Sequence, residues 1–246
     1  MAIVPADAVR SPADLAPLLE HSVLRPESGA EEVRRGCAEA RTHRLGAVCV
    51  RPPWVAEAAR ALSGSGAKVV AVVDFPEGRG SAAERAREAR AVVAAGADEI
   101  DVVLPLSLLR SRDYVAVARD LAAVVVAGVP VKVILETCRL SRDEKVIAAA
   151  LAKASGAASV KTSTGFAEAG ATEEDVALLR QVVGPEFGVK ASGGIRTAAD
   201  ALRMVRAGAD RIGTSASAAI VAGESFEPAE GPPSAPRAGP PGRSAG

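Results

Sequence analysis

Of thirty cationic side chains in the chain, six are lysine: Lys68, Lys132, Lys145, Lys153, Lys161 and Lys190. Three of these, Lys132, Lys161 and Lys190, stand in or at the end of short apolar runs (VKVIL, SVK, GVK), where a buried ammonium is costly and tends to shed its charge. Arginine, which supplies charge everywhere else, stays protonated and cannot condense with a carbonyl; lysine can lose its proton and form a Schiff base. Lys161 and Lys190 fall on consecutive strand-like runs, so Lys190 as a cation would keep a neighbouring Lys161 uncharged and nucleophilic near pH 7. Asp101 lies in DEIDVV, where strand alternation puts Glu99, Asp101 and Val103 on one face. A carboxylate beside amines could move the protons that carbon–carbon cleavage next to an alcohol requires. The competing role is structural: an ion pair of either lysine with Asp101 or Glu136, and of Lys132 with Asp101 or Glu99.

A second group of residues suits an anion. KASGGIRTAAD places Gly193 and Gly194 ahead of a helix capped by Thr197, and RIGTSAS places Gly213 and Ser215 after the next strand. With Thr164 and Gly165 just past Lys161, these loops would let backbone N–H groups approach phosphate oxygens. Glu20, His21, Ser22, Cys49, Arg51, Asp74, Glu136, Thr137 and Thr214 also fall at strand ends, where polar residues are expected simply because strands meet solvent. Cys49 reads as a small packed group, and His21 and His43 are too few and too poorly placed for a metal site.

The elements that must hold these residues announce themselves by a repeated pattern. Helical, Ala-rich segments stop at Gly46, Gly66, Gly96, Gly128, Gly156, Gly188 and Gly208, each read as the left-handed turn past a helix end, and each leads into a β-branched run. With Leu18 to Leu24 as one more strand the count is eight. Ser28…Glu31, Ser81…Glu84 and Ser141…Glu144 fit the capping box, and Thr172…Asp175 and Thr197…Asp200 are looser versions. Strand and helix alternate throughout, which argues for parallel strands and, with eight units, for an α/β fold of the closed (β/α)8, or TIM, barrel type. Catalytic groups in such a barrel sit at the C-terminal ends of its strands, where Lys161, Lys190 and both glycine loops fall.

Bulk properties narrow the partners. Thirty acidic and thirty basic side chains cancel, which favours neither nucleic acid nor an anionic membrane. The N-terminus lacks the apolar core of a secretory signal, and Leu121 to Leu135, the most apolar stretch, is broken by Pro130 and Lys132 and is shorter than the ~20 residues of a membrane helix. Three cysteines without paired spacing fit a reducing compartment, so a cytoplasmic location is expected. Residues 1–222 are expected to form one barrel domain, and 223–246, rich in Pro, Gly, Ser and Ala, a disordered tail.

VKTSTGF, VKASGGIRT, GADEIDVV, VKVILETC and RIGTS, in the chain from about Leu19 to Val221, resemble the signature segments of deoxyribose-phosphate aldolase, a class I aldolase family. VKTSTGF with GGIRT is the specific pair. The resemblance implies reversible cleavage of 2-deoxy-D-ribose 5-phosphate to acetaldehyde and D-glyceraldehyde 3-phosphate, small-molecule partners only, and neither cofactor nor metal. It implies Lys161 as the Schiff-base residue, Asp101 as proton relay, Lys190 as the second amine, and Gly165, Gly193, Gly194, Arg196, Gly213 and Ser215 as the phosphate site; homo-oligomerisation is left open. Departures from the family's usual residues are Glu20 for Asp, Arg25 for Lys, Arg51 for Asn, Asp74 for Gly, Pro105 for Asn and Ala216 for Ser. Tyr114 is the sole tyrosine, so the C-terminal Tyr of some members has no counterpart. These changes put pocket shape and phosphate affinity in question. They leave two alternatives: an aldolase with another aldehyde or sugar-phosphate substrate, or a non-catalytic phosphate-binding barrel.

Overall fold

The computed structural model describes residues 9–223. The expected tail therefore lies outside the described residues apart from Gly223, as does the start of the N-terminal segment. Eight strands, β1 (Leu19–Val23), β2 (Ala47–Val50), β3 (Lys68–Val73), β4 (Glu99–Val103), β5 (Val131–Ile134), β6 (Ser159–Lys161), β7 (Gly188–Ser192) and β8 (Arg211–Thr214), pair in parallel in chain order and close into a barrel. Closure runs through Leu19 opposite Ile212 and Glu20 opposite Gly213. Helices α1 (Pro12–Leu15), α2 (Ala30–His43), α3 (Val55–Leu62), α4 (Ala82–Ala94), α5 (Leu106–Arg110), α6 (Tyr114–Val125), α7 (Arg142–Ala154), α8 (Glu173–Val183), α9 (Ala198–Arg206) and α10 (Ser217–Ala222) pack around it. The (β/α)8 reading is thus what the chain adopts.

Strand parity divides the side chains. Ile100, Val102, Val133, Val160, Val189 and Ile212 face outward into a core shared with the helices, which removes their apolar area from water. The opposite parity points into the barrel. There a small apolar cluster of Ala47, Cys49, Val70 and Val72, with Leu24 above, fills the β2–β3 side, and charged residues interspersed with Val103, Ile134, Ser159 and Ser192 fill the rest.

Helix starts follow the sequence in four cases of five. Ser81 with Glu84, Ser141 with Glu144 and Thr197 with Asp200 form full capping boxes, and Thr172 accepts from the amide of Asp175. The Ser28…Glu31 box does not form. The amide of Ser28 instead donates to Arg25 O at 3.0 Å in a tight turn, its side chain is buried at the mouth, and Gly29 becomes the cap of α2. Two of the seven glycines also depart from expectation. Gly46 and Gly188 are not in the left-handed region; the turns ahead of them fall on Arg44 (φ 55°) and Gly184 (φ 77°). Gly188 is needed because a Cβ there would lie 2.5 Å from that of Ser159, across the β6–β7 pair.

Candidate active site

Register brings the singled-out charges together. Asp101 on β4 lies opposite Lys132 on β5, and Lys161 on β6 lies opposite Lys190 on β7. Lys161 Nζ donates to Asp101 Oδ2 at 2.9 Å, and Lys190 Nζ donates to the same oxygen at 2.7 Å. Lys190 also donates to Glu20 Oε2. Lys132 is the hub beneath: its Nζ is 3.1 Å from Asp101, 2.5 Å from Glu99 and 3.7 Å from Glu20. Lys68, at the partly open bottom of the barrel, closes the chain by bonding Glu99.

Burial opposes every one of these charges, and the pairing decides the outcome. For Asp101, burial pushes the carboxyl up, but Lys132, Lys161 and Lys190 together hold it well below its ordinary 3.8. For Lys190 and Lys132, burial would lower the ammonium, and the carboxylates of Asp101 and Glu20 raise it above the ordinary lysine range. Both stay cationic at neutral pH. The cluster then holds four lysines, Lys68, Lys132, Lys161 and Lys190, over three carboxylates, Glu20, Glu99 and Asp101. It is neutral when one amine carries no proton. Lys132 contacts three carboxylates and Lys190 two, while Lys68 is partly in water, where a charge is cheap. Lys161 has a single carboxylate contact, to an oxygen it shares with Lys190, and is the amine whose charge the cluster least requires.

Glu99 gives this balance a measurable edge. Burial pushes its carboxyl up, but Lys132 and Lys68 outweigh it and bring it from 4.5 to about 2. A carboxyl depressed in the folded state binds fewer protons than in the unfolded chain, so its stabilisation is present above 4.5 and is lost as pH falls toward 2. Glu99→Gln is therefore expected to be less stable in urea at pH 6 by about 2 kcal/mol, with the gap closing between pH 4.5 and 2.

A cavity of about 510 Å3 opens above the cluster at the C-terminal ends of β6, β7, β8 and β1. Lys161 lines it, with Thr164, Gly165, Gly193, Gly194, Arg196, Gly213 and Ser215, so every residue expected at the phosphate site shares one chamber with the expected Schiff-base lysine. Asp101 and Lys190 are fully buried beneath and do not line it; Lys161 Nζ, bonded to Asp101, stands between them and the cavity. Gly165, Gly193 and Gly194 hold φ of 85°, 88° and 80°, turning these loops through the left-handed region. Thr164 is fixed by Glu136, which accepts from its amide at 3.2 Å and from its hydroxyl at 2.5 Å, so Glu136 shapes the loop and pairs with no lysine. A second cavity, of about 450 Å3, lies between the β3–α4 loop and α6, with its Asp120 held by Arg85 at 2.5 Å.

Among the departures noted in the sequence, Arg25 lines the main cavity, whereas Glu20, Arg51, Asp74, Pro105 and Ala216 do not. Asp74 (φ 50°) accepts from the amides of Arg79 and Gly80 and holds its own loop. Glu20, placed on the rim by sequence, is a fully buried member of the charge cluster. His21 turns outward, with Nδ1 3.2 Å from Ser217 Oγ, and burial lowers its pKa. Cys49 Sγ packs 4.0 Å from Asp101, and burial first, then Asp101, pushes the thiol up to about 11, consistent with a packed and unreactive group. Among the described residues no group of three His, Cys, Asp or Glu is placed to hold a metal ion, and no helix is long and apolar enough to cross a membrane.

A parallel barrel carrying an amine on the floor of its mouth cavity, above a buried carboxylate, defines the class: a (β/α)8 enzyme of the lyase type. Residues 14–224 match the DeoC/LacD family aldolase, and the chain belongs to that family. Deoxyribose-phosphate aldolase of Brevibacillus brevis is 47% identical over 207 residues, covering 83% of this chain and 94% of the relative. The enzyme of the same name from Streptococcus sanguinis is 48% identical over 84% of this chain and 94% of its own length. Among solved structures, the tetrameric deoxyribose phosphate aldolase of Aeropyrum pernix superposes with a TM-score of 0.80 at 34% identity, covering 86% of this chain and 91% of that one. A crystal structure from Coccidioides immitis gives 0.84 at 38% identity, covering 89% of each.

Proposed function

We propose that the enzyme reversibly cleaves 2-deoxy-D-ribose 5-phosphate to acetaldehyde and D-glyceraldehyde 3-phosphate through a Schiff base on Lys161. The observation that carries this reading is that, of the buried lysine cluster, Lys161 alone lines the cavity, and the six anion-loop residues line it too. Its relatives are named for this activity.

In the proposed sequence, uncharged Lys161 adds to C1 of the open-chain sugar, and the carbinolamine takes up a proton and loses water to give an iminium. The acetaldehyde fragment keeps C1 and C2, which fixes the scissile bond as C2–C3. Asp101, one hydrogen bond from Lys161 Nζ, takes the C3 hydroxyl proton through a water as the C2–C3 electron pair flows toward the iminium. Glyceraldehyde 3-phosphate leaves; the enamine takes a proton at C2, and water releases acetaldehyde and restores the amine. Lys190 remains a cation on the shared Asp101 oxygen, disfavouring a second positive charge on Lys161 before attack. Phosphate at the β7–β8 loops aligns C1 with the amine. Borohydride added with acetaldehyde is expected to fix one ethyl group on the peptide carrying Lys161; an adduct elsewhere, or none, removes the proposal.

Gly213 serves both layers. A Cβ there would lie 2.9 Å from Lys190 Cε and from Ser192 Cβ, so the missing side chain makes room for the buried amine as well as for an anion. Gly213→Ala is expected to lower kcat/KM for the sugar phosphate on the order of 100-fold by displacing the amine and the phosphate loop, measured by coupled detection of glyceraldehyde 3-phosphate.

The altered-substrate alternative is narrowed to two of the six departures, because Arg25 lines the cavity, Arg51 touches it through Phe166, and the other four lie outside it. Free Cys37, Cys49 and Cys138 support a reducing, cytoplasmic location. The tetrameric Aeropyrum pernix relative supports self-association, which sedimentation tests.

A further inference from the structure

The barrel interior is uneven: carboxylates and amines lie on β1 and β4 to β7, with Lys68 at the foot of β3 and the apolar Val103 and Ile134 above Asp101 and Lys132, while Ala47, Cys49, Val70 and Val72 form an apolar wall on β2 and β3, with Phe75 packed against it. Above this wall the mouth is bridged. Phe166 follows β6 and Arg51 follows β2, and these strands are diametrically opposed in an eight-stranded ring, so contact between them crosses the opening. The Phe75 and Phe166 rings meet edge to face, 5.3 Å apart at 88°. Arg51 Cζ lies 5.6 Å from the Phe75 centroid and 6.0 Å from that of Phe166, and its Nε donates to Leu24 O at 2.7 Å. One guanidinium thus ties together chain following β1, β3 and β6. Phe166 is set from its own side as well, its amide donating to Thr164 Oγ1 at 3.1 Å.

We propose that Phe166, pinned by Arg51 and Phe75, limits the donor aldehyde on Lys161 to two carbons. The inference rests on the Schiff-base reading above. With C1 bound to Lys161 and the phosphate end directed to the β7–β8 loops, where Ile195 lies, a further carbon on C2 turns toward the apolar lining on the other side, supplied by Val23, Leu24 and Phe166. The bridge leaves that side walled by a ring that cannot withdraw without breaking its contacts with Phe75 and Arg51, so the methyl of acetaldehyde is covered and a longer donor collides.

Equal concentrations of acetaldehyde and propanal, trapped together with borohydride on the full-length chain, read this directly, since the two adducts on the Lys161 peptide differ by one methylene. The unaltered protein is expected to carry chiefly the ethyl adduct. Phe166→Ala is expected to raise the propyl-to-ethyl ratio about tenfold, the discrimination one methylene commonly supports, and Arg51→Asn, which frees the ring without removing it, to raise it less. Phe166 is 44% exposed, so its truncation leaves the core intact, and circular dichroism on both variants confirms folding. An unchanged ratio in Phe166→Ala overturns the proposal, as does an equal loss of both adducts. Failure of the unaltered protein to trap acetaldehyde at all strikes instead at the Schiff base itself.

Discussion

Lys161→Arg is expected to reduce turnover of deoxyribose 5-phosphate on the order of 10⁴-fold or more and to abolish borohydride trapping, because the guanidinium can still hydrogen-bond but is permanently charged and cannot condense with C1. The substitution also tests the charge count. Four lysines share three buried carboxylates, and Lys161 contacts Asp101 alone. Arginine makes the fourth cation permanent at a buried position, leaving one positive charge uncompensated; Lys161→Met leaves three cations over three carboxylates. Lys161→Met is therefore expected to match or exceed the unaltered protein in urea midpoint at pH 7, and Lys161→Arg to be less stable by about 3 kcal/mol. The reverse order would mean that Asp101 needs a permanently charged partner at this position, and the uncharged nucleophile would be lost as an explanation. Inactivity of both variants with that stability order ties reactivity and electrostatics to the same nitrogen.

What the sequence revealed of this site, it revealed through residue choice. A chain that uses arginine nearly everywhere marks its exceptions, and strand parity was enough to put Glu99 and Asp101 on one face and to assign Lys132 to their neutralisation, as found. Eight strands and three of the capping boxes were legible for a similar reason: each is a local rule, satisfied within four residues. The unread parts are those created by closure of the barrel. Glu20 meets Lys190 across 170 positions of chain, because β1 pairs with β8 and puts Glu20 beside Gly213; β1 also lacked the leading glycine that flagged the other strands. No local pattern distinguishes an interior Glu20 from a polar strand end. Gly213 was legible as an anion-loop residue but not as the space that Lys190 occupies. Arg51 likewise reads as surface charge until the mouth closes and its neighbours prove to be two rings from other strands. The Ser28 box failed because a competing turn through Pro26 and Glu27 gave its amide a nearer acceptor.

Asp101→Asn should produce the other large loss, and for two separable reasons. Asp101 is fully buried and supplies the oxygen shared by Lys161 and Lys190, with its second oxygen 3.1 Å from Lys132. The amide removes the proton acceptor, for which a turnover loss of about 10³-fold is expected. It also turns an NH2 toward an ammonium and leaves four lysines over two carboxylates, an uncompensated interior charge expected to cost about 3–5 kcal/mol. The two effects part with pH. Burial raises the Asp101 carboxyl and the three lysines lower it further, so its folded-state value lies well below 3.8. Between those values the unfolded chain binds the proton and the folded one does not, so the stability from Asp101 is fully present above 3.8 and falls away only as pH drops through the folded value. The urea-midpoint difference between the two proteins is thus expected to stay level from pH 5 to 8 and to shrink below 3.8. Turnover should remain depressed across the whole neutral range, while slow trapping of acetaldehyde persists because Lys161 is still present. A variant as stable as the parent at pH 7, or one that turns over normally once folded, would show that Asp101 neither holds the amines nor carries the proton.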